Sequence, residues 1–392
     1  MTPTEPVPTP DSVPDPAADP AADPAAGTAQ GAALTVREPA DLIAAVPYLI
    51  GFHPADSVVV VGMRDHTVVI AARADLPDAT VPADVRAAAT AQLTSIVDRQ
   101  QVSAAVVLGY GPADTVDPVL RDTTDALRRQ GTVLLDALRV ADGRYWSSFC
   151  DDPTCCPPEG HRFDAEINPV AVAATVAGQV ALPDRAALRR QVEPVTGPAR
   201  AAMRSATERA RARRSALVDH APPADLLGAR TLRRAGEKTV RMLLERQGRG
   251  IAPTDDDIAW LSLLLTDLEV RDYAWERVTD ELWQVTFWQD IARRAEPELA
   301  AGPASLLAFA AWRAGNGALA RVALDRALDV EPGYSMAKLM DDVLVRGIPP
   351  AALGPWPKPD RSGRKGRADT RPRRRPDGER LDRARPAGRR RP

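Results

Sequence analysis

Ser57-Val58-Val59-Val60-Val61-Gly62 sets four valines in a row, and Arg64-Asp65-His66 separates them from a second β-branched run beginning Thr67-Val68-Val69-Ile70. Four consecutive β-branched residues mark a strand buried on both faces, as in a sheet covered by helices on its two sides. The polar triplet turns the chain, so Thr67 to Ala74 is expected to return beside the first strand. Working upstream, Leu42, Val46, Leu49 and Ile50 fall at helical spacing, and Gly51 is placed to end that helix. Pro47 predicts a kink within it. Working downstream, the pattern predicts a helix over about 82–100, a strand over 103–109, a helix over 114–130 and a strand over 132–140. Asp142-Gly143 is a two-residue hairpin signal with 144–149 as the returning strand. The order α-β-β-α-β-α-β-β predicts an α/β domain, a mixed sheet with packed helices, over about residues 34–164.

From Glu166 onward the strand pattern disappears. Helical spacing recurs over 166–180, 184–193, 198–218, 229–248, 255–268, 270–295, 303–314, 317–330 and 334–346, which predicts an all-helical domain over about 165–350. Thr254 ahead of Asp255-Asp256-Asp257 is a helix N-cap with acids where the helix dipole favours them. Trp275, Val278, Leu282 and Val285 form one apolar stripe of the segment after it, and Trp283, Phe287 and Ile291 a second, so this helix is expected between neighbours. At the end, Trp312-Arg-Ala-Gly-Asn-Gly-Ala-Leu-Ala320, then Ala327 and Pro332, has the small residues, turn and stop of the second half of a tetratricopeptide repeat. One clear copy predicts a tetratricopeptide-like helix pair and not an array.

The chain has 392 residues and a formal net charge of −2, but its charges are segregated. Residues 1–33 carry −5, 34–184 carry −9, 185–249 carry +10, 250–357 carry −8 and 358–392 carry +10. The first 33 residues are rich in Pro, Ala and Asp and the last 35 in Arg, so both are read as disordered tails. No apolar run is long enough to span a membrane. No basic-then-apolar leader opens the chain, and three cysteines within seven residues make no disulfide framework. These features together predict a cytoplasmic protein. Only four of the 51 basic residues are lysine, a bias of a GC-rich coding sequence that weakens arginine richness as a sign of phosphate recognition.

Four segments have chemistry to offer. Cys150, Cys155, Cys156 and His161 put four zinc-compatible ligands within twelve residues, at a C-x4-C-C-x4-H spacing outside the usual zinc patterns. A reduced structural loop, a zinc site and a redox-active thiol group all remain open for it. No other cofactor is expected. The loop Gly51 to Ser57 contains His53, Asp56 and Ser57, the residue types of a hydrolytic triad. Three members in one tight turn rarely align acid, base and nucleophile, and the same residues are common turn formers. Gly109-Tyr-Gly111-Pro-Ala-Asp114 joins a strand to a helix, where phosphate-binding turns occur, but Asp114 stands where the third glycine of that fingerprint belongs and would repel a pyrophosphate. In the basic block 185–249, Arg200, Arg204, Arg211 and Arg214 share a helical face. A nucleic acid lacks aromatic stacking partners there, since the block contains no Phe, Trp or Tyr, while the flanking acidic segments offer partners within the chain.

Ala45-Val-Pro-Tyr-Leu-Ile-Gly-Phe-His-Pro-Ala-Asp-Ser-Val-Val-Val-Val61 resembles the opening of the actinobacterial domain-of-unknown-function family 4192. Asp142-Gly-Arg-Tyr-Trp-Ser147 with Cys150-Asp-Asp-Pro-Thr-Cys-Cys-Pro-Pro-Glu-Gly160 resembles its second signature. Leu306 to Ala320, Asp325-Arg-Ala-Leu328 and Pro332-Gly-Tyr-Ser-Met336 resemble its C-terminal part, so the resemblance spans about residues 34–356. It implies a cytoplasmic protein of actinobacterial type and brings no activity, cofactor or catalytic residue. The expectation drawn from the residues is a non-catalytic binding protein that engages a protein partner through its helical half, with no membrane. The alternative is an enzyme, or a small-ligand or metal-binding protein, with a pocket between loop 51–57 and segment 150–161.

Overall fold

The computed structural model describes residues 35–76 and 83–353, and both expected disordered tails lie outside the described residues. Helix α1 (Pro39–Ile50) takes Pro39 in its first turn, keeps Pro47 inside and ends on Gly51 at φ 87°. Strand β1 (Ser57–Arg64) is buried from Ser57 to Gly62, as the valine run requires. Asp65 and His66 both take positive φ to turn the chain into β2 (Thr67–Asp75). Helix α2 (Ala83–Arg99), β3 (Ala104–Tyr110), α3 (Ala113–Arg129) and β4 (Val133–Ala141) follow, and Asp142-Gly143 closes the hairpin to β5 (Arg144–Ser147). A two-residue strand β6 (His161–Arg162), absent from the sequence reading, completes a sheet of order β2-β1-β3-β4-β5-β6. Among the described strands of this sheet only the β3–β4 pair is parallel.

The period of two along β1 divides its valines between the sheet's faces. Val58 and Val60 pack with Leu93, Val97, Val116 and Leu120 of α2 and α3. Val59 and Val61 face the other way, against Leu42, Val46 and Ile50 of α1, in an apolar core that continues into the C-terminal helices. Those helices are α4 (Pro169–Val176), α5 (Arg185–Arg190), α6 (Gly197–Asp219), α7 (Ala229–Gly248), α8 (Asp255–Leu264), α9 (Leu268–Trp275), α10 (Leu282–Arg294), α11 (Ala301–Arg313), α12 (Gly317–Val330) and α13 (Ser335–Val345).

Two features of the helical region differ from the expectation or fill it in. The segment 270–295 is not one helix but α9 and α10, because the Gln284 amide accepts from the Thr279 N–H (3.1 Å) and donates to the Arg277 carbonyl (3.2 Å). These bonds satisfy backbone groups that the break would orphan, and they leave Leu282 of the expected stripe 68% exposed. The tetratricopeptide-like end takes the expected form: Gly315 has φ 79°, the Asn316 side chain caps α12 by accepting from Leu319 N–H (2.9 Å), and Ala320 and Ala327 are fully buried against α11.

Candidate functional site

Beyond the outer edge of β2 lies a cavity of about 620 Å³. Leu49 and Ile50 from the end of α1, with Phe52, flank it on one side of the sheet plane, and Gln92 and Ile96 of α2 flank it on the other. Its roof comes from the tetratricopeptide-like pair, through Trp312, Gly317, Ala318 and Arg321, with Arg185 and Leu188 of α5 beside them. The segment Arg346–Pro350 closes one end. Arg99 donates to the Arg346 carbonyl (2.6 Å), Gln100 to the Gly347 carbonyl, and Trp312 Nε1 to the Ile348 carbonyl (2.9 Å). Gly347 is required there, since its φ is 60° and a Cβ would stand 2.5 Å from Ile96.

The polar wall of this cavity is an alternating chain of charges. Arg73 pairs with Asp75 (2.6 Å), Asp75 with Arg185 (3.1 Å), Arg185 with Asp325 (3.9 Å), Asp325 with Arg321 (2.8 Å) and Arg321 with Asp341. It runs from the sheet edge through α5 to α12 and α13. The three arginines line the cavity and the three aspartates do not. Arg73 also lies over the Phe52 ring, 5.4 Å from its centre, and its Nε is buried with no hydrogen-bond partner among the described residues. The sequence reading named none of these three arginines. Arg73, inside an otherwise apolar strand, was the one local sign.

Loop 51–57 touches this cavity only through Phe52. His53 is exposed and its backbone N–H binds the Leu182 carbonyl (2.9 Å), Asp56 is exposed at φ 42°, and Ser57 is fully buried at the start of β1. Among the described residues no hydrogen bond joins these three side chains, and Ser57 Oγ has no partner. In the 109–114 turn, Gly111 takes φ 139° and donates to the Val140 carbonyl (3.0 Å). Pro112, whose ring carries no group that can cap a helix, precedes α3, and Asp114 lies in its first turn.

The cysteines sit at the opposite edge, in the loop from β5 to β6. Ser57, Tyr110, Val140, Tyr145 and His161 are cross-strand neighbours in one row, so Ser57 and His161 stand four strand spacings apart, about 19 Å. The Asp152 carbonyl accepts from Cys155 N–H (3.1 Å) and Cys156 N–H (2.6 Å), folding the loop so that the three sulfurs lie within 4.8 Å of one another. His161 is outside that group, stacked on Tyr145 with 5.0 Å between ring centres. The Cys156 thiol donates to the Cys150 sulfur, and the Asp152 N–H adds to it. Cys150 is thereby held below the usual thiol value, and Cys156 is pushed up to about 12. Trp146 pins the loop from beneath, with Nε1 donating to the Pro158 carbonyl (2.9 Å) and Arg139 stacked 3.6 Å above its ring.

Part of the basic block turns to its own acidic neighbours. Arg200 binds Glu296 (2.7 Å), Arg209 binds Asp256 (2.6 Å), Arg211 binds Glu298 (2.7 Å), Arg246 binds Asp257 (3.0 Å) and Arg233 binds Glu269. Arg204 and Arg214, on the same face as Arg200 in the sequence reading, are exposed and carry no ion pair among the described residues. Arg326 is brought down to about 10 by burial, with Arg293 and Arg200 adding repulsion.

Among the described residues no helix is long and apolar enough to cross a membrane. No curated protein and no solved structure matches the chain. The family described as Domain of unknown function (DUF4192) matches residues 39–351, which takes in the sheet, both edges and the tetratricopeptide-like end. The chain belongs to that family.

Proposed function

We propose that this is a binding protein whose ligand occupies the cavity between β2 and the α11–α12 pair. The observation that carries the reading is the cavity itself: about 620 Å³, with apolar Leu49, Ile50 and Phe52 on one side of the sheet plane, Ile96 between two glutamines on the other, and three arginines on its wall with their aspartates behind. That volume and mixture suit an apolar ligand bearing a carboxylate or similar anion. The helical half acts here by roofing the site, so a protein partner would reach it through a segment that enters the cavity. The buried position of Ser57 speaks against a hydrolytic role for loop 51–57. The probe 1-anilinonaphthalene-8-sulfonate, an apolar anion, tests the reading. It should bind with one equivalent, and Gly317→Phe should weaken it at least tenfold. Gly317 lines the cavity and a Cβ there meets nothing within 4 Å, so the substitution adds bulk at the cavity's rim without a clash at its Cβ. Equal affinity in both proteins, with unchanged circular dichroism, removes the cavity as the site.

A second reading concerns the thiols and rests on a separate observation, the gathering of three sulfurs within 4.8 Å on one loop. Three thiolates with an open fourth position suit zinc, which takes sulfur at about 2.3 Å. Zinc should bind at one equivalent, measured by metal analysis after dialysis, and Cys150→Ser should lower the affinity at least tenfold. Less than a tenth of an equivalent in the parent protein rules it out.

A further inference from the structure

We propose that the cavity takes an extended peptide, which adds to β2 as a further strand of the sheet and carries a carboxylate to the arginine wall. The inference rests on the reading of the cavity as the ligand site and names what fills it. Six consecutive residues of β2, Val68 to Arg73, line the cavity. Successive side chains of a strand point to opposite faces, so one face could supply only every second residue. An unbroken run means that the cavity follows the edge of the strand itself. β2 is outermost in the sheet, and β1 occupies only its inner side. Every second residue of an antiparallel strand therefore directs its N–H and C=O outward, and among the described residues no hydrogen bond meets those groups. A row of unpaired donors and acceptors inside an apolar cleft is matched by another backbone more completely than by any compact ligand.

The walls specify the peptide further. A strand laid beside β2 would point alternate side chains toward Ile96 on one side and toward Phe52, Leu188 and Trp312 on the other. The second side is thus mainly apolar, while Gln92 and Gln100 stand beside Ile96 on the first. Six residues of β2 span about 20 Å, the reach of a five- or six-residue extended segment. Arg73 ends that run; Asp75 holds the far side of its guanidinium, and its buried, unpartnered Nε is a donor free for an acidic residue at that end of the peptide. A second copy of this chain fits poorly, because the free edge lies beneath α11 and α12, and a partner's β2 would have to bring its own roof with it.

The test selects displayed random heptapeptides on the full chain, with Gly317→Phe as the counter-selection. The strongest peptide is then synthesised with N-methyl groups on one or the other set of alternate amides. Proline-free apolar runs with an acid at one end should be enriched, and binding should slow hydrogen exchange over residues 67–75 at least tenfold. Methylation of the set facing β2 should weaken binding at least tenfold, and methylation of the other set should not. If both methylated peptides bind like the parent and residues 67–75 stay unprotected, strand addition is wrong while the cavity stands. The same holds if no peptide distinguishes the parent from Gly317→Phe although the anilinonaphthalene probe does. If neither peptide nor probe responds to Gly317→Phe, the cavity reading itself fails. A peptide-free dimer that protects 67–75 and is lost in Gly317→Phe assigns the edge to a second copy and overturns the proposal.

Discussion

The two edges of the sheet solve the same problem in opposite ways. An edge strand exposes unpaired backbone groups and invites unwanted pairing. At one edge the sheet dwindles to β6, two residues long, and the loop that precedes it is fastened down by Trp146, Arg144 and Asp152. At the other edge β2 runs nine residues with its outer side unpaired among the described residues, and the protection stands off at a distance as walls and roof. The first arrangement gathers three thiols. The second borders an open-mouthed cavity of about 620 Å³. An edge that is merely protected needs no cavity, and the proposed site rests on the space beside β2. Helix α1 links the two. Burial raises the Tyr145 phenol of β5, and Glu38, at the helix's start, is near enough to add to it, while Leu49 and Ile50, at its end, line the cavity.

The largest effect is expected at the closed edge. Gly160 has φ 77°, and a Cβ there would stand 2.5 Å from the Trp146 ring. Gly160→Ala should therefore cost about 2–4 kcal/mol, from the unfavourable backbone and the displaced indole together. Urea unfolding measures it. A loss below about 1 kcal/mol would mean that the thiol edge is as loose as the cavity edge, and the contrast would fail.

The next effect tests the end of α1 nearer the thiols. Burial pulls the Asp41 carboxyl up, but the Arg37 N–H (2.9 Å) and the Asn168 amide (3.0 Å) outweigh it, and its pKa is lowered. A lowered pKa adds stability that is present above the unfolded value, near pH 4, and is lost as pH falls through the folded value. Asp41→Ala should cost about 1–3 kcal/mol at pH 7, since it leaves two donors without their acceptor. The gap to the parent should narrow below pH 4. An equal gap at pH 7 and pH 3 in urea unfolding refutes the assignment.

The legibility of the two edges in the sequence differs for a physical reason. Strands β1 to β5 follow from local signals: the valine run, the Asp65-His66 and Asp142-Gly143 turns, and the β-branched stretches between helices. β6 does not, because two residues carry no periodicity, and its strand character comes from pairing with β5 and from His161 stacking on Tyr145. That pairing also draws His161 away from the cysteines, so the three thiols were readable as a group and the fourth ligand was not. The cavity was not readable at all. Its walls come from α1, β2, α2, α5, α11, α12, α13 and the segment after them, and Val68 or Trp312 has the signature of a core residue until distant elements fail to meet over it. Gln284 is a similar case. Its spacing suits a continuous helix, and only its bonds to Thr279 and Arg277 show that the backbone has broken there.

The smallest effect concerns the charge chain that holds the cavity's wall to its roof. Arg185 stands at its centre, 31% exposed, between Asp75 of the sheet edge and Asp325 of α12. Arg185→Met keeps most of the apolar stem and removes both pairs. Asp75 retains Arg73, and Asp325 retains Arg321, so neither carboxylate is stranded. Partly exposed pairs contribute little, and the loss should be at most about 1 kcal/mol, fading as salt approaches 0.5 M. Stability alone would make Arg185 look dispensable. Binding should not, because removing it takes one of three positive charges from the cavity and leaves Asp75 and Asp325 with one arginine each. The affinity for the anilinonaphthalene probe should therefore fall by more than the stability does. If stability falls and binding does not, the chain is a brace for the open edge and the anion preference belongs to Arg73 and Arg321 alone.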